Sequence, residues 1–392
     1  MNICIISQGY PYKDFAYYIF VQQLAEALAD QGHKISVIAP QSITNKIIRK
    51  TPFAPFHRTD LTPNGSEIDV YSPKIITLGK FETKYQWLDL FLFRRLQDTI
   101  YNTINSFKIK PDIIYGHFWH MGYAGFKYAE KTNTPIFIAS GEAEIELHKR
   151  FSIATLKPFI NAVKGVICVS TKNKNESVKA NLISSDKCIV LPNAINTNLF
   201  YKKDKTICRK QFGYPEDAFI IAFVGGFIPR KGPIRIVQAI KLLADPDIRT
   251  IFIGRTMDAD HSNLPEAEFN LFMDSVPHEK LVDYLNCADV FVMPTLHEGC
   301  CNSIIEAMAC GLPVISSDRE FNYDIIDKEC GILVDPMNIE EIADAIQSIK
   351  NNPDLRVKMS DEALNKARNL NIEYRASRIS DYLSSKIDVV GL

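Results

Sequence analysis

The hydrophobic positions of the chain fall into two patterns that alternate along its length. Short, continuous apolar runs, such as residues 2–7 and 219–224, are typical of strands that a parallel sheet buries on both faces. Longer stretches place apolar residues on one side only, as Leu24 and Leu28 do within residues 17–29. Because predicted strands and helices alternate, the pattern predicts doubly wound α/β domains with mainly parallel sheets.

The same patterns predict where most elements lie. Strands are expected at residues 2–7, 34–39, 111–115, 134–140, 165–170, 188–191, 219–224, 250–254, 290–293 and 313–315. Helices are expected at residues 17–29, 87–101, 234–243, 303–310, 340–350, 354–370 and 372–387. Residues 41–65 are polar and contain prolines, which predicts a mobile loop. The charged run at residues 202–205 has the character of a linker, so the first domain is expected to end just before it.

Composition narrows the class of protein. The 392 residues are 46% hydrophobic and 23% charged, as in soluble globular proteins of two or three domains. The net charge of -1 gives no support to nucleic-acid binding. The nine cysteines show neither metal-site nor disulfide spacing and are interpreted as reduced thiols. The start of the chain lacks a signal-peptide pattern, and no apolar run approaches a membrane span, so we expect a cytoplasmic protein.

Two acids lie in a strand–loop–helix segment at residues 290–310. The N–H groups that open the helix favour an anion, and Asn302 or Ser303 is expected to cap it. Glu298 and Glu306 repel phosphate, so their natural partners are hydroxyl groups on either side of a diphosphate. A nucleotide sugar has that layout, with a ribose, a diphosphate and a hexose. The alternative is an ordinary helix with a solvated glutamate.

Two further segments place candidate residues after predicted strands. Gly225 opens a glycine-containing turn that ends in Arg230-Lys231-Gly232, just before a helix, and supplies positive charge for a diphosphate. Exposed Arg-Lys pairs are more often solvated, which is the alternative interpretation. His117 follows the strand at residues 111–115, and ligands of wound sheets gather at strand ends. A lone histidine is usually structural, and His120 is interpreted as a packing residue.

The segment Glu298-Gly-Cys-Cys-Asn-Ser-Ile-Ile-Glu306-Ala-Met-Ala-Cys-Gly-Leu-Pro-Val closely resembles the donor-site signature of retaining glycosyltransferases of family 4, which have the GT-B fold. The segments at His117, 192–200 and 225–232 also resemble this family. The resemblance implies that Glu306 holds a ribose, and that Glu298 and His117 act on the transferred sugar as catalytic residues. The donor-binding residues that it implies are Gly225, Arg230, Lys231, Glu298, Gly299, Cys300, Cys301, Asn302, Ser303 and Glu306.

The sequence departs from the family pattern at several positions. Residues 15–17, Phe-Ala-Tyr, stand near the place of a glycine pair in the first loop. Gly226 occupies the position of a frequent arginine, for which Arg230 is expected to substitute. Tyr115 and Ser140 replace histidines.

The resemblance also implies the architecture. It is an α/β GT-B fold with two Rossmann-like doubly wound domains that face each other across a cleft. Residues 1–190 would form the acceptor-side domain, residues 191–371 the nucleotide-sugar-binding domain, and residues 372–392 a C-terminal helix that returns to the first domain.

The implied function is retaining transfer of a hexose-type sugar from a nucleotide-diphosphate sugar, with UDP or GDP expected, to a sugar hydroxyl. The acceptor would be a glycan or lipid-linked sugar in cell-surface polysaccharide biosynthesis, and no cofactor is expected. Two alternatives are a nucleotide-sugar epimerase on the same fold and a non-enzymatic partner subunit with a decayed site.

Two further points concern metal and membrane. No metal is expected, because Asp245-Pro-Asp247 precedes a strand, at the edge away from the site, and Asp258-Ala-Asp260 lies in a polar surface loop. The helix at residues 87–101 is interpreted as a core helix. The alternative is a face for peripheral membrane association with a lipid-linked acceptor.

Overall fold

The computed structural model describes residues 1–13, 18–48, 50–77, 86–254, 270–273 and 276–387. The chain divides into two compact units. Unit 1 contains Met1–Leu191 and the C-terminal segment from Ile372, and unit 2 contains Pro192–Asn371. The first boundary falls one residue after the predicted position, and the second coincides with it.

Unit 1 is an α/β domain built from the apolar runs of the first half of the chain. Its strands are β1 (Asn2–Ser7), β2 (Lys34–Ile38), β3 (Gln41–Ser42), β4 (His57–Leu61), β5 (Glu67–Tyr71), β6 (Lys74–Ile75), β7 (Ile113–His117), β8 (Ile136–Ser140), β9 (Val163–Cys168) and β10 (Cys188–Val190). Its helices up to residue 191 are α1 (Ile19–Asp30), α2 (Ile43–Ile48), α3 (Gln86–Ser106), α4 (Trp119–Thr132), α5 (Leu147–Arg150), α6 (Ile153–Ala162) and α7 (Thr171–Lys179).

The main sheet of unit 1 has the strand order β10-β9-β8-β7-β1-β2-β5-β4. Only β4 runs antiparallel to its neighbour; the other pairs are parallel. The order reverses between β1 and β7, where Ser7 lies opposite His117 in register. The carboxyl ends of these two strands therefore form a topological switch point, the place where wound sheets bind ligands.

The prediction of a loop at residues 41–65 was wrong. This region contains β3, α2 and β4, and β4 pairs with β5 along the edge of the sheet. Along β4, exposed residues alternate with half-buried ones. An edge strand with little buried surface lacks the apolar run that identifies the central strands, so the sequence pattern did not reveal it.

Unit 2 is a second wound domain. Its strands are β11 (Phe219–Val224), β12 (Ile248–Ile253), β13 (Asn270–Met273), β14 (Val290–Met293), β15 (Val314–Ser317) and β16 (Gly331–Val334). Its helices are α8 (Lys205–Phe212), α9 (Pro233–Leu243), α10 (His278–Cys287), α11 (Asn302–Ala309), α12 (Ile339–Asn351) and α13 (Pro353–Arg368). The strand order is β13-β12-β11-β14-β15-β16, all parallel, with the reversal between β11 and β14.

The last described helix, α14 (Ile372–Ile387), belongs to unit 1, as predicted. It packs against α1 and β9 and buries Ile379 and Leu383 completely. Ser380 bonds to the ring of His33 at 2.8 Å, and the Tyr382 hydroxyl donates to the Lys187 carbonyl at 2.7 Å. The amphipathic pattern of this segment therefore reflects a face that unit 1 covers.

The long helix α3 presents one face to the core of unit 1. Phe93, Leu96 and Ile100 are buried in that core, whereas Phe91 is half-exposed beneath the guanidinium of Arg95. The interpretation as a core helix holds for this buried face. The membrane-surface alternative stays a prediction. Within the described ranges, none of the helices combines the length and apolar character that spanning a bilayer requires.

Candidate active site

Two loops meet at the carboxyl edge of the unit 2 sheet. Residues 225–232 follow β11, and residues 294–301 follow β14, the two strands at which the strand order reverses. The N–H of Leu296 donates to the carbonyl of Arg230 at 2.9 Å. This bond holds the two loops together, so side chains from both converge at the switch point.

Glycine allows close backbone approach at two positions along this edge, between the two loops at Gly232 and between the ends of β11 and β12 at Gly254. Gly232 has a φ of +80°, and a Cβ there would lie 2.6 Å from the carbonyl oxygen of Pro294. A Cβ on Gly254 would lie 1.8 Å from the carbonyl oxygen of Gly225. A larger residue at Gly232 would push the two loops apart, and one at Gly254 would displace Gly225, because such contacts are far inside van der Waals distance.

Arg230 and Lys231, the two predicted cations, both contact the predicted carboxylate of Glu298. Arg230 Nη1 lies 2.5 Å and Lys231 Nζ 2.6 Å from Oε1 of Glu298. The Thr295 hydroxyl donates to the same oxygen at 3.2 Å. All three bonds therefore end on Oε1, and Oε2 receives none of them.

The charges in this cluster stabilise one another. Burial alone would raise the pKa of Glu298, but Lys231 and then Arg230 hold it below its usual range. Burial opposes the charge on Lys231, whereas Cys301 and Glu298 raise its pKa. Glu298 is thus ionised at neutral pH, and the cluster of two cations and one carboxylate carries a net positive charge.

The helix α11 begins without a side-chain cap. The prediction that Asn302 or Ser303 caps it was wrong, because Cys301 holds the N-cap position and makes no capping hydrogen bond. Cysteine is a weak acceptor, and the Asn302 amide oxygen accepts from Asn193 Nδ2 at 2.8 Å instead. Gly299 and Cys300 are buried just before the helix. An uncapped helix start of this kind favours an anion.

The second predicted carboxylate, Glu306, has a partner that the sequence did not suggest. Oε1 of Glu306 lies 3.3 Å from Nε2 of His278, and its side chain is only 7% exposed. Burial opposes a charge on His278, but Glu306 raises its pKa above the usual value. The ring of Phe200 meets the His278 ring edge-on, with centroids 5.2 Å apart.

Sequence reasoning missed His278 as a site residue. This histidine is the first residue of α10, and no sequence motif assigned it a role. The pairing joins two helices that are separate in sequence. The available signal was positional, since α10 and α11 each follow a strand of a parallel sheet and so begin at the same edge.

In unit 1, His117 ends β7 at the switch point, as predicted. It is 5% exposed, and its ring lies near the rings of Phe20 and Phe118, at 5.3 and 4.7 Å between centroids. Burial, then the nearby Arg375 and His120, lowers the pKa of His117 to about 3. Among the described residues, its Nδ1 has no hydrogen-bond partner. The ring is therefore neutral at physiological pH, and its Nδ1 is buried without a protein partner among these residues.

A carboxyl group lies beside this histidine. Glu142 accepts from the backbone N–H of Trp119 at 2.8 Å, from that of Gly141 at 3.0 Å and from the Ser140 hydroxyl at 3.1 Å. Burial raises its pKa to about 7, although these bonds oppose the rise. Trp119 is two residues from His117, so the carboxyl group anchors the backbone after the histidine. The sequence analysis assigned Glu142 no role.

Unit 2 thus brings together Gly225, Arg230, Lys231, Glu298 and the start of α11, with Glu306 further along that helix. His117 lies in unit 1. The residues at 15–17 and the triplet Asp258-Ala-Asp260 lie outside the described residues. Asp245 and Asp247 pair with Lys350 before β12. In the part of the chain that the structure describes, no group of three or more His, Cys, Asp or Glu residues is arranged for a metal ion.

Two family models match successive parts of the chain. The model described as glycosyltransferase family 4 matches residues 19–199, and the model described as glycosyl transferases group 1 matches residues 204–366. The chain is similar to a Bacillus subtilis glycosyltransferase named for teichuronic acid biosynthesis, TuaC. The two are 26% identical over 340 residues, 84% of this chain and 83% of TuaC.

Another relative and a solved structure extend the comparison. UDP-Gal:α-D-GlcNAc-diphosphoundecaprenol α-1,3-galactosyltransferase of Escherichia coli is 25% identical over 297 residues, 70% of this chain and 75% of that protein. The crystal structure of HepE from Anabaena in complex with UDP and glucose has a TM-score of 0.70 at 16% identity, covering 98% of this chain and 100% of that chain. The two family matches follow one another and take in both units, so the chain belongs to the glycosyltransferases of group 1 and family 4, with the GT-B fold.

Proposed function

We propose that this protein is a retaining glycosyltransferase that moves a hexose-type sugar from a nucleotide-diphosphate sugar to a sugar hydroxyl. The observation that carries the proposal is the cluster at the unit 2 switch point. Lys231 and Arg230 hold the Glu298 carboxylate by one oxygen, beside the uncapped start of α11. This arrangement offers positive charge and a hydroxyl acceptor within one small site.

The donor diphosphate would bind to the cations and to the backbone of α11. Arg230 is 37% exposed and Lys231 is more buried, so an anion can reach both from the solvent side. The N–H groups at the start of α11 add donors, and Gly225 lets the chain approach the phosphates closely. Charge that develops on the leaving diphosphate would be stabilised by the same groups.

The three remaining residues would hold the sugars. Oε2 of Glu298 is the acceptor for hydroxyls of the transferred sugar, and Glu306 for the ribose hydroxyls. The neutral ring of His117 would orient the transferred sugar, as the resemblance to family 4 implies. A hydroxyl group carries no charge, so it can bond either to a neutral ring nitrogen or to an ionised carboxylate.

The chemistry is an exchange of C–O bonds at the anomeric carbon. The bond to the β-phosphate breaks, and the acceptor oxygen forms the new bond from the same face. Because the new bond forms on the face from which the old one breaks, the stereochemistry is retained, and the hydroxyl proton goes to the departing diphosphate. Catalysis in this scheme consists of positioning and charge stabilisation rather than covalent attack by a carboxylate.

The relatives favour a polysaccharide acceptor. TuaC is named for teichuronic acid biosynthesis, and the Escherichia coli relative takes its name from transfer of galactose from UDP-Gal to a diphosphoundecaprenol-linked sugar. HepE was solved with UDP and glucose. We infer a UDP- or GDP-sugar donor and a glycan or lipid-linked acceptor, used in cell-surface polysaccharide biosynthesis.

The test has two stages. A thermal-shift screen of UDP, GDP, ADP and their sugars should identify one nucleotide that stabilises the protein. Transfer from its labelled sugar to a polyprenyl-diphosphate-linked sugar is then measured for the parent, for Glu298→Gln and for the control Glu340→Gln, an exposed acid on α12. We expect activity in the parent and the control, strong loss in Glu298→Gln, and an α-linked product from an α-linked donor by NMR.

Two outcomes would contradict the proposal. Release of a free, epimerised sugar from the donor alone would identify an epimerase. Absence of binding by every nucleotide would instead indicate a subunit with a decayed site.

A further inference from the structure

The second carboxylate of the donor site depends on a residue outside the signature segment. Glu306 is almost fully buried, and a buried carboxylate requires a partner that compensates for lost water. Among the described residues, the structure gives this side chain one ion-pairing partner, His278 at 3.3 Å. The orientation of the Glu306 carboxylate is therefore set largely by a residue on another helix.

The surroundings of His278 indicate that this contact is the ring's main polar interaction. Phe200 packs edge-on against the ring and limits its rotation. Within the described part of the chain, Nδ1 of His278 has no hydrogen-bond partner. Nε2, which faces Glu306, is therefore the ring nitrogen that has a polar partner among these residues.

One donor on one oxygen leaves the carboxylate able to bind a diol. Nε2 of His278 engages Oε1 of Glu306, and within the described ranges no other donor bonds to this carboxylate, so Oε2 and the second lone pair of Oε1 can accept from two hydroxyls. An arginine in this position would bind both oxygens at once and block them. Glu298 is held in the same manner, by Oε1 alone.

We propose that His278 is a positioning residue of the donor site, which holds the Glu306 carboxylate so that it accepts the 2′- and 3′-hydroxyls of the nucleotide ribose. The inference rests on the proposed function, because it requires a ribonucleotide donor at Glu306. It adds the α10 start to the donor site and assigns His278 to recognition of the ribose rather than of the phosphates or the base.

The experiment compares two ligands and two variants by isothermal titration. The ligands are the nucleoside diphosphate that stabilises the parent protein and its 2′,3′-dideoxy analogue. His278→Phe keeps an aromatic ring against Phe200 but lacks the N–H donor, whereas His278→Gln keeps an N–H donor without the ring. We expect His278→Phe to weaken binding of the ribonucleotide about tenfold and His278→Gln to stay within about threefold of the parent.

The dideoxy analogue separates positioning from a general structural role. The tenfold loss in His278→Phe should shrink to less than about twofold with this ligand, because it has no hydroxyls for Glu306 to accept. Glu306→Ala should show the same dependence on the hydroxyls. Equal losses for both ligands, or a His278→Gln variant as weak as His278→Phe, would overturn the assignment.

Further controls distinguish a folding defect, a failure of the proposed function and a failure of this inference. Circular dichroism checks each variant, and His278→Ala replaces the phenylalanine variant if the latter does not fold, with the same readout. If the parent binds no nucleoside diphosphate, the proposed function and this inference both fall. If the parent binds one and Glu306→Ala shows the ribose dependence but the His278 variants do not, only the inference falls.

Discussion

The Glu298 carboxylate, which follows β14, is held ionised by two cations, whereas the His117 ring, at the end of β7, is buried without a charge. Both positions lie at the switch point of a wound sheet. In unit 2, Lys231 and Arg230 hold the pKa of Glu298 down against the effect of burial. In unit 1, burial lowers the pKa of His117 to about 3 and raises that of Glu142 to about 7.

The difference follows from the partners that each sheet edge supplies. A buried charge is stable only when an opposite charge or several hydrogen bonds compensate for lost hydration. The unit 2 loops supply two cations to one acid. In unit 1, α14 places the positive charge of Arg375 near His117, which disfavours a second positive charge. The same fold thus provides one edge with a net positive cluster around Glu298 and one edge where His117 is neutral.

Removing a cation from the unit 2 edge should have the largest effect. In Lys231→Ala, we expect kcat to fall about 100- to 1,000-fold, the cost typical of losing one group that stabilises developing negative charge. The pKa of Glu298 should also rise, because Lys231 is its strongest stabilising charge. Initial rates at saturating donor, measured across pH, test both expectations.

The control for this change is Lys241→Ala, an exposed lysine on α9. It alters the net charge of unit 2 equally and should leave kcat within about twofold, as distant surface substitutions usually do. A similar fall in both variants would show that overall charge, rather than the cluster, is responsible. An unchanged rate in Lys231→Ala would remove the cation from the mechanism.

The sequence predicted many of the strands and helices that form these two sheet edges. The bounds of β11, β14 and α14 agree residue for residue with the predictions, because each has a strong apolar pattern. It also predicted Glu298, Glu306, Arg230, Lys231 and His117 as candidates, from their places after strands and from the resemblance to family 4.

The partners of those residues were not predictable in the same way. Local patterns do not record which side chains meet when separate helices and loops fold together. His278 reaches Glu306 only because α10 and α11 begin at one edge, and Glu142 reaches the backbone beside His117 from the next strand. The cap of α11 was predicted wrongly for a related reason, since Asn302 bonds to Asn193 instead of to its own helix.

The neutral histidine of unit 1 should affect turnover more than nucleotide binding. In His117→Ala, we expect kcat to fall about tenfold, the cost of one lost hydrogen bond to the sugar, while affinity for the bare nucleoside diphosphate stays near the parent value. Because the pKa of His117 is about 3, its titration should not appear in the activity profile between pH 5 and 8.

A neighbouring histidine provides the matched control. His120 is also uncharged, with its pKa lowered to about 4 by burial and by Arg150, but it is interpreted as a packing residue. His120→Ala should therefore keep its kcat if it folds. Equal loss of kcat and nucleotide affinity in His117→Ala would reassign His117 to packing as well.

The last expected effect concerns the carboxyl group of Glu142 and appears in stability rather than in activity. Its folded pKa of about 7 lies above the ordinary value of 4.5. Between these values the unfolded chain binds fewer protons than the folded one, so this group makes the protein less stable as pH rises. Glu142→Gln has no titration there, and the stability of the parent relative to this variant should fall by about 2–3 kcal/mol from pH 5 to 8.

Urea unfolding at several pH values measures this difference, with Glu144→Gln as the control, because Glu144 is exposed and ion-paired with Lys149. The difference in stability between the parent and Glu144→Gln should not change comparably with pH. Stability is compared between variants because His117 and His120 make all three proteins more stable as the pH rises towards 6.5. Their contribution opposes that of Glu142 but cancels in the comparison. A pH-independent difference for Glu142→Gln would mean that Glu142 is ionised in the folded protein. The unit 1 edge would then carry a fixed charge, as the unit 2 edge does, and the contrast between them would not hold.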